Sequence, residues 1–390
     1  MDKDGNQPKD RWIAGFSRRK TAKMTRGNTV DLYFEGDVAF DAMADAIRSA
    51  KIFVHLEMYL FFSDVVGKRF AGLLSEKARE GIPVRVVYDA VGSIEASDGM
   101  FEEMQKAGVV VEVFRPVAPW RKRSGILGRN HRKNLIVDGR VAFTGGVNLG
   151  DDWSRAEMGD KVWRDTHMKL EGPAAAACDY FFRETWKKVG GCGLPEDGHF
   201  QMDQEGPGKS DCMVVGGGGI AKGKAIRRLF SEAFEVAERD VAMTVAYFIP
   251  PRVLLKILRK RSTEGVNIEV LVPRDSDVAV ADWLREGLYP GLMKHGIKFH
   301  EYLRSVLHAK SIVIDDHLAL VGSSNFDYLS ISWNWELAVV IDDAEVVTKL
   351  REQYAIDLEE SETVDEQSAS ARPWWRRMMS WIGASIIRHF

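Results

Sequence analysis

NHRKNLIVDGRVAFTGGVN, residues 130–148, sets a histidine and a lysine two positions apart at the head of an apolar strand. The arrangement returns 177 positions later, His308 against His131, as LHAKSIVIDDHLALVGSSN, residues 307–325. Both stretches fit H-x-K-x4-D-x6-G-[GS]-x-N. Two strings with the same internal spacing point to a duplicated unit rather than to chance.

The duplication extends outward from the two motifs. AIRSAKIFVHLEMYLF (46–61) is matched by AFEVAERDVAMTVAYF (233–248), LLSEKAREGIPVRVVYD (73–89) by ILRKRSTEGVNIEVLVP (257–273), and MQKAGVVVEVF (104–114) by LMKHGIKFHEY (292–302). The last two pairs read as a helix, a glycine stop and a strand; the first reads as a helix end running into a buried strand. This alternation predicts an α/β fold of two homologous units, each a mixed sheet flanked by helices. Docked about a pseudo-two-fold, they would place the active site between them. The expected divisions are a basic amino-terminal arm (1–28), a first unit (29–192), a second unit (208–358), and an acidic linker with an amphipathic tail (359–390). The stretch 190–210, rich in Gly, Pro and acids, reads as the connection between the units.

Within a strand the period is two, so His131 and Lys133 share a face, as do His308 and Lys310. Asp138-Gly139 is a two-residue hairpin signal. It predicts that Val137 pairs with Arg140, Lys133 with Thr144 and His131 with Gly146; the second copy places His308 opposite Ser323. A small residue facing each histidine would leave room for a phosphate and bring Asn148 and Asn325 close. Asp138 lies seven residues from His131, roughly 23 Å along a strand. Asp138 and Asp315 are therefore expected to be turn residues outside the chemistry. The expected catalytic set is His131, Lys133, Asn148, His308, Lys310 and Asn325. Two such trios suit phosphodiester chemistry: one neutral imidazole attacks phosphorus, the other protonates the departing oxygen, and lysines and asparagines hold the nonbridging oxygens. No metal or other cofactor is needed. Each histidine also needs a partner on its second nitrogen, and Asp165 and Glu336 stand at similar distances after their motifs. The glycine run at 216–219 lacks a following Gly-Lys-Ser/Thr, so it reads as a flexible turn rather than a phosphate loop.

The net charge of −3 offers no global attraction to nucleic acid, and no nucleic-acid partner is expected. Three cysteines, Cys178, Cys192 and Cys212, lack metal-ligand spacing; their odd number, with no signal peptide, suggests a reducing compartment. No apolar run reaches the roughly 18–20 residues that span a bilayer. A location in the cytoplasm or, peripherally, at the cytoplasmic face of a membrane is expected. Three segments are suited to membrane contact: the basic loop around Trp120, the amino-terminal arm with Trp12, Ile13 and Phe16, and the tail, where Trp374 and Trp375 lie opposite Arg376 and Arg377 on an interfacial helix.

The doubled motif resembles that of the phospholipase D superfamily. Within it, residues 58–93, 130–153, 163–174 and 323–341 resemble bacterial cardiolipin synthases of the short type, which lack amino-terminal membrane helices. The resemblance implies a phosphohistidine route with His131 as nucleophile and His308 as acid and then base. It also implies acids that cross between halves, Glu336 to His131 and Asp165 to His308. Glu57 and Asp89 fall at family-like places and are candidates for a supporting layer. The implied reaction joins two phosphatidylglycerol molecules at an anionic membrane surface. Phosphatidylethanolamine as donor, simple hydrolysis, and a nuclease on the same fold are the alternatives.

Overall fold

The computed structural model describes residues 22–117, 127–194, 204–365, 376 and 378–380, with 219–223 described by backbone alone. In the first half, β1 (Ala22–Tyr33), α1 (Gly36–Ser49), β2 (Val54–Met58), α2 (Val65–Arg79), β3 (Val84–Asp89), α3 (Asp98–Lys106) and β4 (Val110–Phe114) lead to the hairpin β5 (Asn134–Val137) and β6 (Val141–Gly145), then β7 (His167–Glu171) and α4 (Pro173–Val189). The second half repeats this as β8 (Ser210–Gly217), α5 (Gly219–Val236), β9 (Asp240–Val245), a short β10 (Phe248–Ile249), α6 (Arg252–Thr263), β11 (Asn267–Pro273), α7 (Ala279–Met293) and β12 (Lys298–Tyr302). The hairpin β13 (Lys310–Ile314) and β14 (Leu318–Gly322), the short β15 (Phe326–Asp327) and α8 (Tyr328–Ser332), then β16 (Glu336–Asp342), α9 (Ala344–Glu359) and β17 (Ser361–Thr363) complete it.

The two mixed sheets join edge to edge. The strand order β17-β12-β11-β9-β13-β14-β16-β8-β1-β7-β6-β5-β2-β3-β4 runs through both halves without a break. The seam is β1 against β8, antiparallel, with Ala22 opposite Val215 and Thr25 opposite Cys212. Reading outward from the seam, each half gives the same sequence of strands apart from the added edge strand β17, so the pseudo-two-fold passes between β1 and β8. Central strands such as β14 and β16 are buried on both faces and carry apolar runs, as sheets covered by helices require. On one face α4 and α9 pack across the seam through Phe181, Phe182, Val347 and Leu350. The opposite face is covered separately in each half, by α1 to α3 over Phe40, Phe70 and Met104 and by α5 to α7 over Leu229, Leu258 and Leu292.

Several expectations need correction. The hairpins turn through three residues, not two: Val137 pairs with Val141 and Asn134 with Thr144, and Ile314 pairs with Leu318. Asp138 and Gly139 both adopt left-handed backbone (φ 52° and 61°), as does Asp315 (φ 50°), and the extra residue shifts the register by one. Strand pairing also begins at Asn134 and Lys310, so both motif histidines precede the ladder. Residues 22–28 belong to β1 instead of a free arm, because their backbone pairs with β8. Likewise β17 extends the second half past 358 by pairing with β12. The glycine run is no flexible turn: Gly216 and Gly217 are strand residues packed against Phe181 and Ile226.

Asp138 does hold the far end of its hairpin. Its carboxylate accepts the backbone N–H groups of Lys51 (2.8 Å), Ile52 (2.7 Å) and Phe53 (2.9 Å). Asp315 repeats the clasp with Glu238, Arg239 and Asp240 at 2.9, 2.8 and 3.0 Å. Hydrogen bonds to a charged group contribute about 1.5–3 kcal/mol each, less where water competes. Asp138→Ala should therefore lower the melting temperature by several degrees while the protein that remains folded keeps most of its turnover. An unchanged melting curve, read by calorimetry beside an activity assay, would remove the clasp from the account.

Candidate active site

Each motif histidine is fixed by backbone from the other half. Trp335 N–H donates to Arg129 O at 2.8 Å, and His131 N–H donates back to Trp335 O at 2.9 Å. The second half mirrors this: Arg164 N–H donates to Val306 O at 2.9 Å, and His308 N–H to Arg164 O at 2.7 Å. The residue after each bridging strand residue is an acid, Glu336 after Trp335 and Asp165 after Arg164. The crossing therefore hands each histidine an acid from the opposite half.

His131 Nδ1 lies 3.0 Å from Ser323 O and 3.1 and 3.3 Å from the two oxygens of Glu336. A carbonyl and a carboxylate only accept, so Nδ1 carries the proton and Nε2 presents a lone pair. His308 Nδ1 lies 2.7 Å from Asp165 Oδ2. Burial pushes the Asp165 carboxyl up, but Lys310 and His308 together hold it at about 2. It is ionised and only accepts, so the tautomer with the proton on Nδ1 suits it; Lys310 Nζ also lies 2.7 Å from this Nδ1. Trp153 Nε1 also donates to Oδ2 at 2.9 Å, and Thr166 N–H to Oδ1 at 2.7 Å. The repeat difference between Gly146 and Ser323 follows from these acids. A Cβ at Gly146 would sit 1.9 Å from Asp165 Oδ1, whereas Ser323 Oγ donates to Glu336 Oε2 at 2.5 Å.

The lysines lie beneath the histidines. Lys133 Nζ donates to His131 O at 2.8 Å, and Lys310 Nζ donates to His308 O. Burial drives Lys133 far below the usual lysine range, and Lys310 adds to the drop. Burial lowers Lys310 to about 8 against the pull of Asp165. His131 is lowered by burial and Lys133, and His308 is lowered to about 4 by burial and Lys310, each against its acid. Such a site is short of negative charge. Asn148 and Asn325 face the same cavity. Asn148 accepts Leu60 N–H at 3.2 Å, while its Nδ2, and Oδ1 of Asn325, find no hydrogen-bond partner among the described residues.

Glu57 and Asp89 form a layer behind the first motif. Asp89 accepts from Arg129 Nε (2.9 and 3.0 Å) and from Asn130 N–H (2.8 Å). Glu57 accepts from Asn130 Nδ2 at 2.8 Å. They hold residues 129–130 in place and do not line the cavity. Sequence reasoning missed Arg132, which is wholly buried on the side away from the site. It donates to Glu336 O, Phe181 O, Thr185 Oγ1 and Gly217 O, at 3.1, 2.9, 3.0 and 2.9 Å. Strand alternation between His131 and Lys133 was the available signal, since it aims Arg132 at α4. Trp153, which steadies Asp165, was also missed.

Both histidines open into a cavity of about 770 Å³, whose far wall is Ile249, Pro250, Pro251, Val278, Ala281 and Leu284. At its mouth Leu127, Val280 and Leu329 are each more than half exposed. The expected membrane residues Trp12, Ile13, Phe16, Trp120, Trp374, Trp375 and Arg377 lie outside the described residues. Arg376 does not serve as expected: its guanidinium is held by Glu286 at 2.7 Å and Asp275 at 3.1 Å, against its own fold. No helix among the described residues is long and apolar enough to cross a membrane.

A family model described as cardiolipin synthase, PLD-like domain, matches residues 43–160 and 230–357, and so takes in both motifs. The chain belongs to this family. Cardiolipin synthase 2 of Bacillus anthracis is 31% identical over 345 residues, 88% of this chain and 67% of that protein. The probable cardiolipin synthase YwiE of Bacillus subtilis (strain 168) is 31% identical over 327 residues, 84% of this chain and 65% of that one. Among solved structures, phosphatidylserine synthase of Haemophilus influenzae Rd KW20 superposes with a TM-score of 0.73 over 97% of each chain. At 13% identity that likeness speaks for the fold alone.

The buried histidines set a pH limit on folding. His308 and His167 are both held at about 4 chiefly by burial, whereas an unfolded histidine titrates near 6.5. The unfolded chain therefore binds more protons between these values, and stability is full above about 6.5 and falls as pH drops toward 4. Both ring nitrogens of His167 find no hydrogen-bond partner among the described residues, so His167→Gln should flatten the dependence of melting temperature on pH in that window. An equally steep dependence in the variant would contradict the assignment.

Proposed function

We propose that the protein is a cardiolipin synthase, which moves a phosphatidyl group from one phosphatidylglycerol to another and releases glycerol. The observation that carries this reading is the pairing of two acid-held histidines with a cavity whose wall and rim are apolar. The histidines and lysines suit a phosphodiester, and the rim suits a lipid. A nuclease would need a basic groove where Leu127, Val280 and Leu329 stand exposed.

In the proposed reaction Nε2 of neutral His131 attacks phosphorus of the donor. The bond from phosphorus to the headgroup oxygen breaks, and His308 gives its Nε2 proton to the departing glycerol oxygen. The phosphodiester brings negative charge beside His308 and the lysines, which raises their proton affinities and supplies the acid that burial alone would suppress. A headgroup hydroxyl of the second lipid then gives its proton to His308 while its oxygen attacks phosphorus. The phosphorus–nitrogen bond breaks, and His131 returns neutral. Lys133, Lys310, Asn148 and Asn325 hold the nonbridging oxygens as charge shifts. Glu336 and Asp165 fix the tautomers and stabilise each imidazolium in turn.

The test is product analysis by mass spectrometry with purified protein and defined vesicles. Phosphatidylglycerol vesicles should yield cardiolipin and glycerol, and His131→Ala should lose nearly all of this product. A folded His131→Ala protein within tenfold of wild type would overturn the nucleophile assignment. Cardiolipin formed only when phosphatidylethanolamine is present would move the donor role to that lipid.

The apolar rim supports peripheral attachment to a membrane. Val280→Asp with Leu329→Asp should weaken vesicle binding and slow turnover on bilayers, with turnover on a dispersed short-chain lipid kept. Equal losses on both substrates would show that these side chains serve the fold rather than the interface.

A further inference from the structure

The cavity contains a carboxylate that phosphate chemistry does not call for. Asp277 lines the same cavity as His308, and its charge reaches both His308 and Lys310. An acid so placed repels the nonbridging oxygens of a phosphodiester, so its use must lie elsewhere. Its partner is Tyr247, whose hydroxyl donates to Asp277 Oδ1 at 2.6 Å. Burial and Asp277 push the Tyr247 phenol well above its usual range, so it keeps its proton and spends it on this bond. What the pair then offers the cavity is acceptors alone: Oδ2 of Asp277 and the lone pairs of the phenol oxygen.

The placement of the pair is fixed from both sides. Ala246 N–H donates at 3.1 Å to the carbonyl of Ala309, the residue between His308 and Lys310, so the next residue, Tyr247, is set beside the second motif. Asp277 is carried between β11 and α7, where Ser276 N–H donates to Asp282 Oδ2 at 2.9 Å and Ser276 Oγ to Val278 O at 3.1 Å. Two segments 30 residues apart thus bring their polar ends together in the cavity that holds the histidine read as acid and base.

We propose that the Tyr247–Asp277 pair is the specificity site for the headgroup of the incoming lipid, holding its hydroxyl groups so that one of them is presented to His308. This rests on the phosphatidyl-transfer reading above and extends it to the choice of acceptor over water. The ligand chemistry is a hydrogen-bond donor, which a polyol headgroup supplies through hydroxyls and an ethanolamine headgroup through an ammonium. The favoured ligand is the polyol, because only a hydroxyl can use the neighbouring histidine as base and become the attacking oxygen.

The experiment uses the full chain with short-chain phosphatidylglycerol, and follows transfer product, phosphatidic acid and total donor consumption in wild type, Asp277→Ala, Asp277→Asn and Tyr247→Phe. Asp277→Ala should raise the KM for the acceptor by about tenfold, the scale of losing a hydrogen bond to a charged group, and shift product toward phosphatidic acid. Donor consumption with a nitrophenyl leaving group, which offers no hydroxyl, should change less than threefold. Asp277→Asn should restore part of the acceptor affinity, since an amide oxygen still accepts from a hydroxyl. If Asp277→Asn is as impaired as Asp277→Ala, and the loss appears only with added ethanolamine lipid, the ligand is an ammonium and the polyol assignment falls. An unchanged ratio of transfer to hydrolysis in Asp277→Ala and Tyr247→Phe would overturn the inference while leaving the transfer reading intact. Equal loss with the nitrophenyl donor would assign the pair to phosphoryl chemistry and also overturn it. Wild-type protein that consumes donor without ever forming a transfer product would remove the transfer reading, and this inference with it.

Discussion

The site depends on a pair of backbone crossings. Arg129 and His131 hydrogen-bond to Trp335, and Val306 and His308 to Arg164. Each crossing ties the segment before a motif strand to the segment before a strand of the other half. Because the acids Glu336 and Asp165 come next in those strands, backbone geometry decides which carboxylate meets which imidazole. Neither half holds a complete site. The unbroken sheet through β1 and β8, and the apolar layer that α4 and α9 share over that seam, are what keep the crossings in register. Arg132 adds to this by reaching from the motif to Gly217 O and Glu336 O in the second half.

Burial at this seam creates the electrostatic character of the site. Two histidines and two lysines lie within one shielded region, and each lysine lowers the proton affinity of its neighbours. The two acids offset only part of this, because each is spent on orienting a ring. In the proposed reaction a phosphodiester would supply the missing negative charge, so binding and proton transfer would be coupled: the anion to be cleaved would also raise the acid that cleaves it. The apolar wall then decides which phosphodiesters can bring their charge to that point, and an exposed rim of Leu127, Val280 and Leu329 favours one attached to acyl chains.

Much of this was legible in the sequence because duplication prints the same constraint twice. The repeated H-x-K spacing marked both site strands, and helix–strand alternation gave the α/β class. Asp138 and Asp315 were placed at turns by the hairpin signal at Asp138-Gly139, its repeat in the second copy, and distance from the histidines. What was not legible was set by features with little local signature. The hairpin register slipped by one because an aspartate in left-handed backbone adds a loop residue that Asp-Gly by itself does not announce. Residues 22–28 looked like a basic arm because their partner strand lies some 190 positions away, Ala22 opposite Val215. Arg376 carried the composition of a membrane contact, yet Glu286 and Asp275 claim it. Tyr247 and Asp277 gave no motif at all, since only the fold brings them together.

The account's central claim is that each imidazole answers to the acid of the opposite half. Nitrogen-15 NMR of histidine-labelled protein tests it directly, with His131 and His308 assigned by single substitution. Glu336→Gln should shift the ring nitrogens of His131 and leave those of His308 within a small fraction of that change, and Asp165→Asn should do the reverse. A shift of His308 on Glu336→Gln, with His131 unmoved, would contradict the crossing and with it the assignment of roles in this site.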